Sequence, residues 1–188
     1  MKWLIVPALL LSANVFADDR DPDMQGPPTS DPDRSGLTVA LGFGPGELHV
    51  VPDSGSEQRV EGPAFTLRVG TALSQTSAIE ALIDFVDGSG TRSTVFGGDI
   101  KVYAAPSLYL RVGGGVGMLS LPGSSMTGMS GTDHHFGATA LAAFGWEWFQ
   151  LKHLALFGEF EAAGDRILES NANTTIVNAG ITVGVTWF

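Results

Sequence analysis

The sequence predicts an all-β fold: an eight-stranded antiparallel up-and-down transmembrane β-barrel with both termini at the periplasmic end. Three observations predict it. Apolar residues alternate with small or polar ones over eight successive segments. The connections between them alternate between long and short. The chain also opens on an export leader and contains no later apolar run long enough for a membrane helix. Strands of about ten residues with long loops at one end and tight turns at the other are the pattern of a transmembrane barrel.

The leader is "MKWLIVPALLLSANVFA". Lys2 precedes an apolar stretch from Trp3 to Leu11, and Val15 and Ala17 fit a cleavage site before Asp18. The stretch is too short to span a bilayer, so residues 1–17 read as a signal peptide rather than a retained anchor. Residues 18–36, "DDRDPDMQGPPTSDPDRSG", have almost nothing to bury and read as a disordered acidic arm. Their Asp-Pro-Asp units lack the spacing and glycine of a calcium loop. Residues 37–188 form the barrel.

The first segment, "LTVALGFG", sets Leu37, Val39, Leu41 and Phe43 against Thr38, Ala40, Gly42 and Gly44. The second sets Phe65, Leu67, Val69 and Leu73 against Thr66, Arg68, Gly70 and Ala72. The third opposes Ile79, Ala81, Ile83 and Phe85 to Glu80, Leu82, Asp84 and Val86, and the fourth opposes Phe96, Ile100 and Val102 to Gly97, Asp99, Lys101 and Tyr103. After Pro106, "LYLRVGGGVGM" places Leu108, Leu110, Val112, Val116 and Met118 on one face and Tyr109, Arg111 and glycines on the other. The sixth carries Phe136, Ala138, Ala140, Ala142, Phe144, Trp146 and Trp148 opposite Gly137, Thr139, Gly145 and Glu147. The seventh sets Leu154, Leu156, Phe160 and Ala162 against His153, Ala155, Glu159 and Glu161. The last, "GITVGVTWF", sets Ile181, Val183, Val185 and Trp187 against Thr182, Gly184 and Thr186. Residues 45–61, 87–93, 119–134 and 164–175 are expected as the long loops, and 74–77, 106 and 149–152 as the short turns.

A soluble barrel shows the same alternation with the faces exchanged. Two features favour lipid outside. The non-apolar face is glycine-rich, which suits a narrow lumen better than a wetted surface. Aromatics of the apolar face collect toward strand ends: Phe43, Phe65, Phe85, Phe96, Phe136 and Phe160 toward the loops, and Trp146, Trp148 and Trp187 toward the turns. Two such bands match the two bilayer interfaces.

The segments "LYLRVGGGVGML", "FGWEWFQLKHLALFGEFEAAGD" and "GVTWF" make the chain resemble the small eight-stranded outer-membrane barrels of the OmpA/OmpX-like superfamily, over about residues 36–188. The resemblance implies an outer-membrane location, outer-membrane lipid and lipopolysaccharide as surroundings, and a C-terminus at Trp187-Phe188 read by the barrel-assembly machinery. The family usually keeps its last aromatic in the outward register; here Trp187 holds that register and Phe188 lies one residue beyond. No wall-binding domain is expected after the barrel.

The candidate lumen residues are Arg68, Asp84, Asp99, Lys101, Arg111, Glu147, Glu159 and Glu161. Glu159 and Glu161 invite an acid/base reading, and the whole set a polar pore. Eight strands leave little open lumen, so a plug of ion pairs is the expectation, with Arg111–Glu147 the first pair. Met126, Met129, His134 and His135 carry soft-metal ligand types without diagnostic spacing, and no metal or other cofactor is expected. Ser130, Asp133 and His134 are the nearest set to a hydrolytic triad, but they share one loop and no motif; His153 stands alone, and no His-x-Ser element resembling the lipid A deacylases is present. "GGGVG" keeps strand parity with no helix after it, which argues against a nucleotide loop. The net charge of −10 argues against nucleic acid as a partner. A non-catalytic monomer is expected, with a structural, envelope-maintenance or surface-interaction role. A narrow channel and a lipid A-modifying enzyme are the alternatives.

Overall fold

A computed structural model of the chain describes residues 34–53, 56–122, 132–168 and 173–188. The expected signal peptide, and the expected arm up to residue 33, lie outside the described residues. Eight strands follow in order: β1 Leu37–Pro52, β2 Gln58–Ser74, β3 Ser77–Gly88, β4 Thr91–Tyr103, β5 Leu108–Pro122, β6 Thr132–Leu151, β7 Leu154–Leu168 and β8 Asn173–Trp187. Each pairs antiparallel with the next, and β8 returns to β1 to close the barrel. Closure is what a strand protein needs in hydrocarbon, where an unpaired edge would leave a row of backbone groups without partners.

Turn chemistry fixes the hairpins. Ser89 and Gly90 link β3 to β4 with φ of 52° and 80°, two successive left-handed residues as a type I′ turn requires. Ser74 and Ser77 close the β2–β3 turn through their hydroxyls at 2.8 Å. The β4–β5 and β6–β7 turns lie at the same end, together with the start of β1 and the end of β8. The pairing of β1 with β8 lapses at Gly44-Pro45 without a change of register, as befits a residue that has no N–H to give.

Period two puts the large apolar residues of the lower barrel outside. Leu37 (67% exposed), Val112 (65%) and Phe136 (60%) are typical of a face that circles all eight strands. Burying such a side chain is worth roughly 1.5–3 kcal/mol, so a full ring of them in water would cost tens of kcal/mol. Lipid is the medium that suits it. Inside, Arg68, Arg111, Lys101, Glu147 and Glu159 are almost wholly enclosed.

The strands run further than the sequence reading placed them. Residues 45–52, 58–61, 119–122, 132–134, 164–168 and 173–175, expected in loops, continue the barrel wall. The alternation resumes there with its faces exchanged. Leu48, Val50, Ala64, Val86, Leu119, Ile167 and Ile176 point inward and pack together. Glu47, Arg59, Glu61, Asp87, Arg92 and Arg166 point outward, in ion pairs such as Arg59–Glu47 at 2.6 Å. The phase change hid the extension: an apolar residue switching from odd to even numbers looks like the end of a strand, whereas only the solvent around the wall has changed. Nor do all the phenylalanines band at the loop end. Phe43 and Phe160 sit near mid-strand because their strands are 16 and 15 residues long.

Candidate functional site: a filled lumen

The lumen is packed in layers. At the turn end Glu147 is the centre. It accepts hydrogen bonds from Tyr103 Oη at 2.6 Å, Lys101 Nζ at 3.2 Å and Arg34 Nη2 at 3.0 Å. The Arg34 guanidinium also donates to the Pro106 carbonyl and lies 3.7 Å from the centre of the Tyr103 ring. The end of the expected solvated arm is corrected here: Arg34 is buried and belongs to the barrel floor. The aromatic ending resolves in the same place. Trp187 faces outward, while Phe188 donates its N–H to the His153 carbonyl at 3.1 Å and lines the barrel mouth with Arg34 and Tyr103.

Above Glu147, Tyr109 and Phe157 cross the lumen with Ala40. Glycines make room for the rings. A Cβ on Gly145 would lie 2.1 Å from Tyr109, and one on Gly184 would lie 2.7 Å from Phe157.

The middle layer is ionic. Glu159 accepts from Arg68 Nη1 at 2.7 and 2.9 Å and from Arg111 Nη1 at 2.6 Å, so one carboxylate bridges two guanidiniums. Arg111 grips Asp99 through Nε and Nη2 at 3.0 and 2.6 Å and reaches Glu161 at 3.2 Å. Glu80 lies 3.4 Å from Arg68 and 3.9 Å from Arg111. Further up, Asp165 accepts from Thr139 and, at 3.4 Å, from Asn178. The inward apolar cluster of the loop end closes the stack.

Most charged side chains so enclosed are held by an opposite charge and by hydrogen bonds, which is what lets them persist there. Of the eight predicted lumen residues, seven join ion pairs; Asp84 is buried at the same level with no ion pair among the described residues. The predicted Arg111–Glu147 pair does not form. Arg111 lies opposite Ala143 in the β5–β6 register, leaving Glu147 four residues nearer the floor. The two turns are not level: β5 starts at Leu108 opposite Trp146, whereas β6 runs on to Leu151. Glu159, weighed as an acid/base, has both oxygens engaged by arginine.

Of the other candidates, those among the described residues are not brought together into a site. Met126, Met129 and Ser130 lie outside the described residues. His134 and His135 are successive residues of β6 and so face opposite sides of the wall. His134 Nδ1 is 3.0 Å from Ser120 Oγ, whereas His135 lines an apolar recess with Val50 and Ile167. Among the described residues no three His, Cys, Asp or Glu side chains group as a metal site.

Sequence reasoning missed Glu80, Asp165, Asn178, Phe157 and Arg34. The first four hold the inward parity of their strands, a signal open to reading. Phe157 in particular faces Gly42 and Gly184, which together announce a large lumen side chain.

No protein-family model matches the chain, and no curated protein matches its sequence significantly. Among solved structures it is similar to Ail, the attachment invasion locus protein of Yersinia pestis, with a TM-score of 0.56 and 10% identity over 81% of this chain and 98% of that one. It is similar also to Neisserial surface protein A, with a TM-score of 0.55 and 10% identity over 81% and 97%. Closure, strand count and these likenesses agree: the chain has the fold of the small eight-stranded outer-membrane β-barrels.

Proposed function

We propose that the protein is exported to the bacterial outer membrane and acts there as a non-catalytic barrel, structural in the wall and interactive at its loop end. The observation that carries this reading is the filled lumen: three layers of ionic and aromatic side chains under an apolar cap leave the barrel a peg rather than a pipe. Apolar side chains face outward on every strand, which supports a monomer surrounded by lipid. Arg59, Arg92 and Arg166, just above the aromatic zone, each meet a carboxylate of this chain, so the outer leaflet with its lipopolysaccharide borders a ring of matched charges. The outward Trp187 with Phe188 behind it is the segment offered to the barrel-assembly machinery.

The names of the two structural neighbours, an attachment and invasion protein and a surface protein, fit a display role. The Ail structure holds a heparin analogue. Here the described loop-end surface favours a different partner, since Glu47, Asp53, Glu57, Glu61, Asp87 and Asp133 outnumber Arg59, Arg92 and Arg166. Like charge repels a polyanion. A neutral or cationic partner suits this surface better.

Planar-bilayer recording of the folded barrel tests the reading. No sustained conductance is expected, and steady single-channel steps would replace it with the channel alternative. Lipid A mass profiles with and without the protein are expected to coincide; a changed acyl or headgroup pattern would replace it with the enzyme alternative.

A further inference from the structure

Every lumen carboxylate at the level of Arg68 and Arg111 has an arginine partner except Asp84. Asp84 is only 8% exposed, yet neither of its oxygens has a hydrogen-bond partner among the described residues. It lines a cavity of about 30 Å³ together with Glu161, Thr66, Asn178 and Thr182. Thr66 Oγ1, Asn178 Oδ1 and Thr182 Oγ1 are buried and unpartnered too. The Asn178 amide is oriented by its own nitrogen, which donates to Ser93 Oγ at 2.8 Å and to Asp165 at 3.4 Å, leaving Oδ1 as the free acceptor. Glu161 spends one oxygen on Arg111 and keeps 18% of its side chain accessible, against 0–2% for the carboxylates deeper in the network. Five orphaned oxygens and a second carboxylate thus border one small space whose remaining lining is apolar.

We propose that this cavity is a binding site for a single hard cation of the calcium class. Water alone would satisfy the hydrogen bonds without offsetting the charge of Asp84, which no arginine holds, and buried charge is the larger cost. The donors are all oxygens (two carboxylates, two hydroxyls and one amide), the set calcium takes, whereas softer metals seek nitrogen or sulfur. The space holds roughly two water-sized bodies, too few for the hydration shell magnesium keeps. The side chains come from β2, β3, β7 and β8, so the ion would tie together strands that no single hairpin joins.

The test is thermal unfolding of the full barrel, folded in detergent, stripped with a chelator and melted at constant ionic strength with sodium, magnesium or calcium chloride. Calcium is expected to raise the melting temperature by on the order of 5 °C at saturation, and magnesium by much less. Asp84→Asn and Glu161→Gln are expected to lose that rise. Glu147→Gln, at the barrel floor, is expected to melt lower but keep it. Should the carboxylate variants fail to fold, Thr182→Val offers the same shape without the hydroxyl and is expected to need more calcium for the same shift. A wild-type barrel indifferent to calcium, or an undiminished rise in Asp84→Asn or Thr182→Val, would overturn the site.

Discussion

The lower and upper halves of the barrel obey opposite rules. In the lower half, Leu41, Ile100, Val112 and Val183 face outward while Arg68, Glu80, Asp99 and Glu159 face inward. In the upper half, Glu47, Arg92 and Arg166 face outward while Leu48, Leu119 and Ile176 face inward. Strand geometry is continuous through the change; only the medium outside differs. A β-strand has no fixed inside, and the face that turns apolar is whichever one water does not reach. The lower half therefore puts its costly chemistry in the centre. There charges are tolerable only as a matched set, while the upper half holds itself together as a small soluble barrel does.

That contrast can be broken most severely in the lumen. Arg111→Ala leaves Asp99 and Glu159 short of a cation in a closed space, and removing one partner of a buried pair costs about 3–5 kcal/mol. The folded barrel should melt on the order of 10 °C lower. Arg92→Ala in the upper half, where Arg92 meets Asp87 on the wetted surface, should cost at most about 1 kcal/mol. Equal losses would mean that the two halves do not differ in the way described.

The outer face offers the next largest effect. Val112→Arg sets a charge among acyl tails and should cost about 2–4 kcal/mol in folding titrations into lipid, against about 0–1 for Thr175→Arg near the loop end. Smaller still is a pair of glycine substitutions. Gly145→Ala drives a methyl into Tyr109 and should cost about 1–3 kcal/mol. At Gly164 a Cβ meets nothing within 4 Å, so Gly164→Ala should be neutral or slightly stabilising. Urea midpoints of the two variants give the comparison directly.

Much of the lower barrel was legible because its alternation is uninterrupted: Leu37 to Phe43 and Ile181 to Trp187 declare their faces without help. The lumen membership of Arg68, Asp99, Lys101, Glu159 and Glu161 followed from the same parity. Partner choice did not. Whether Arg111 meets Glu147 or Asp99 depends on the stagger between strands, which turns of unequal length set and composition does not record. The upper wall was illegible for a different reason, since Leu48 and Val50 change phase after Pro45 just as a strand end would. Arg34 gave no sign at all. An arginine in a run of aspartates and prolines reads as solvated until Tyr103 and Glu147 are seen to wait for it.

The reversal of faces is most directly measured by single-cysteine spin labelling in lipid vesicles, which the cysteine-free chain allows. Labels at Ile100, Val112 and Val183 should be relaxed by dissolved oxygen and spared by a water-soluble nickel complex. Labels at Glu47, Asp87 and Arg166 should show the opposite preference. Nickel access at the first three positions, or oxygen preference at all six, would contradict a wall that is oily outside below and wetted outside above.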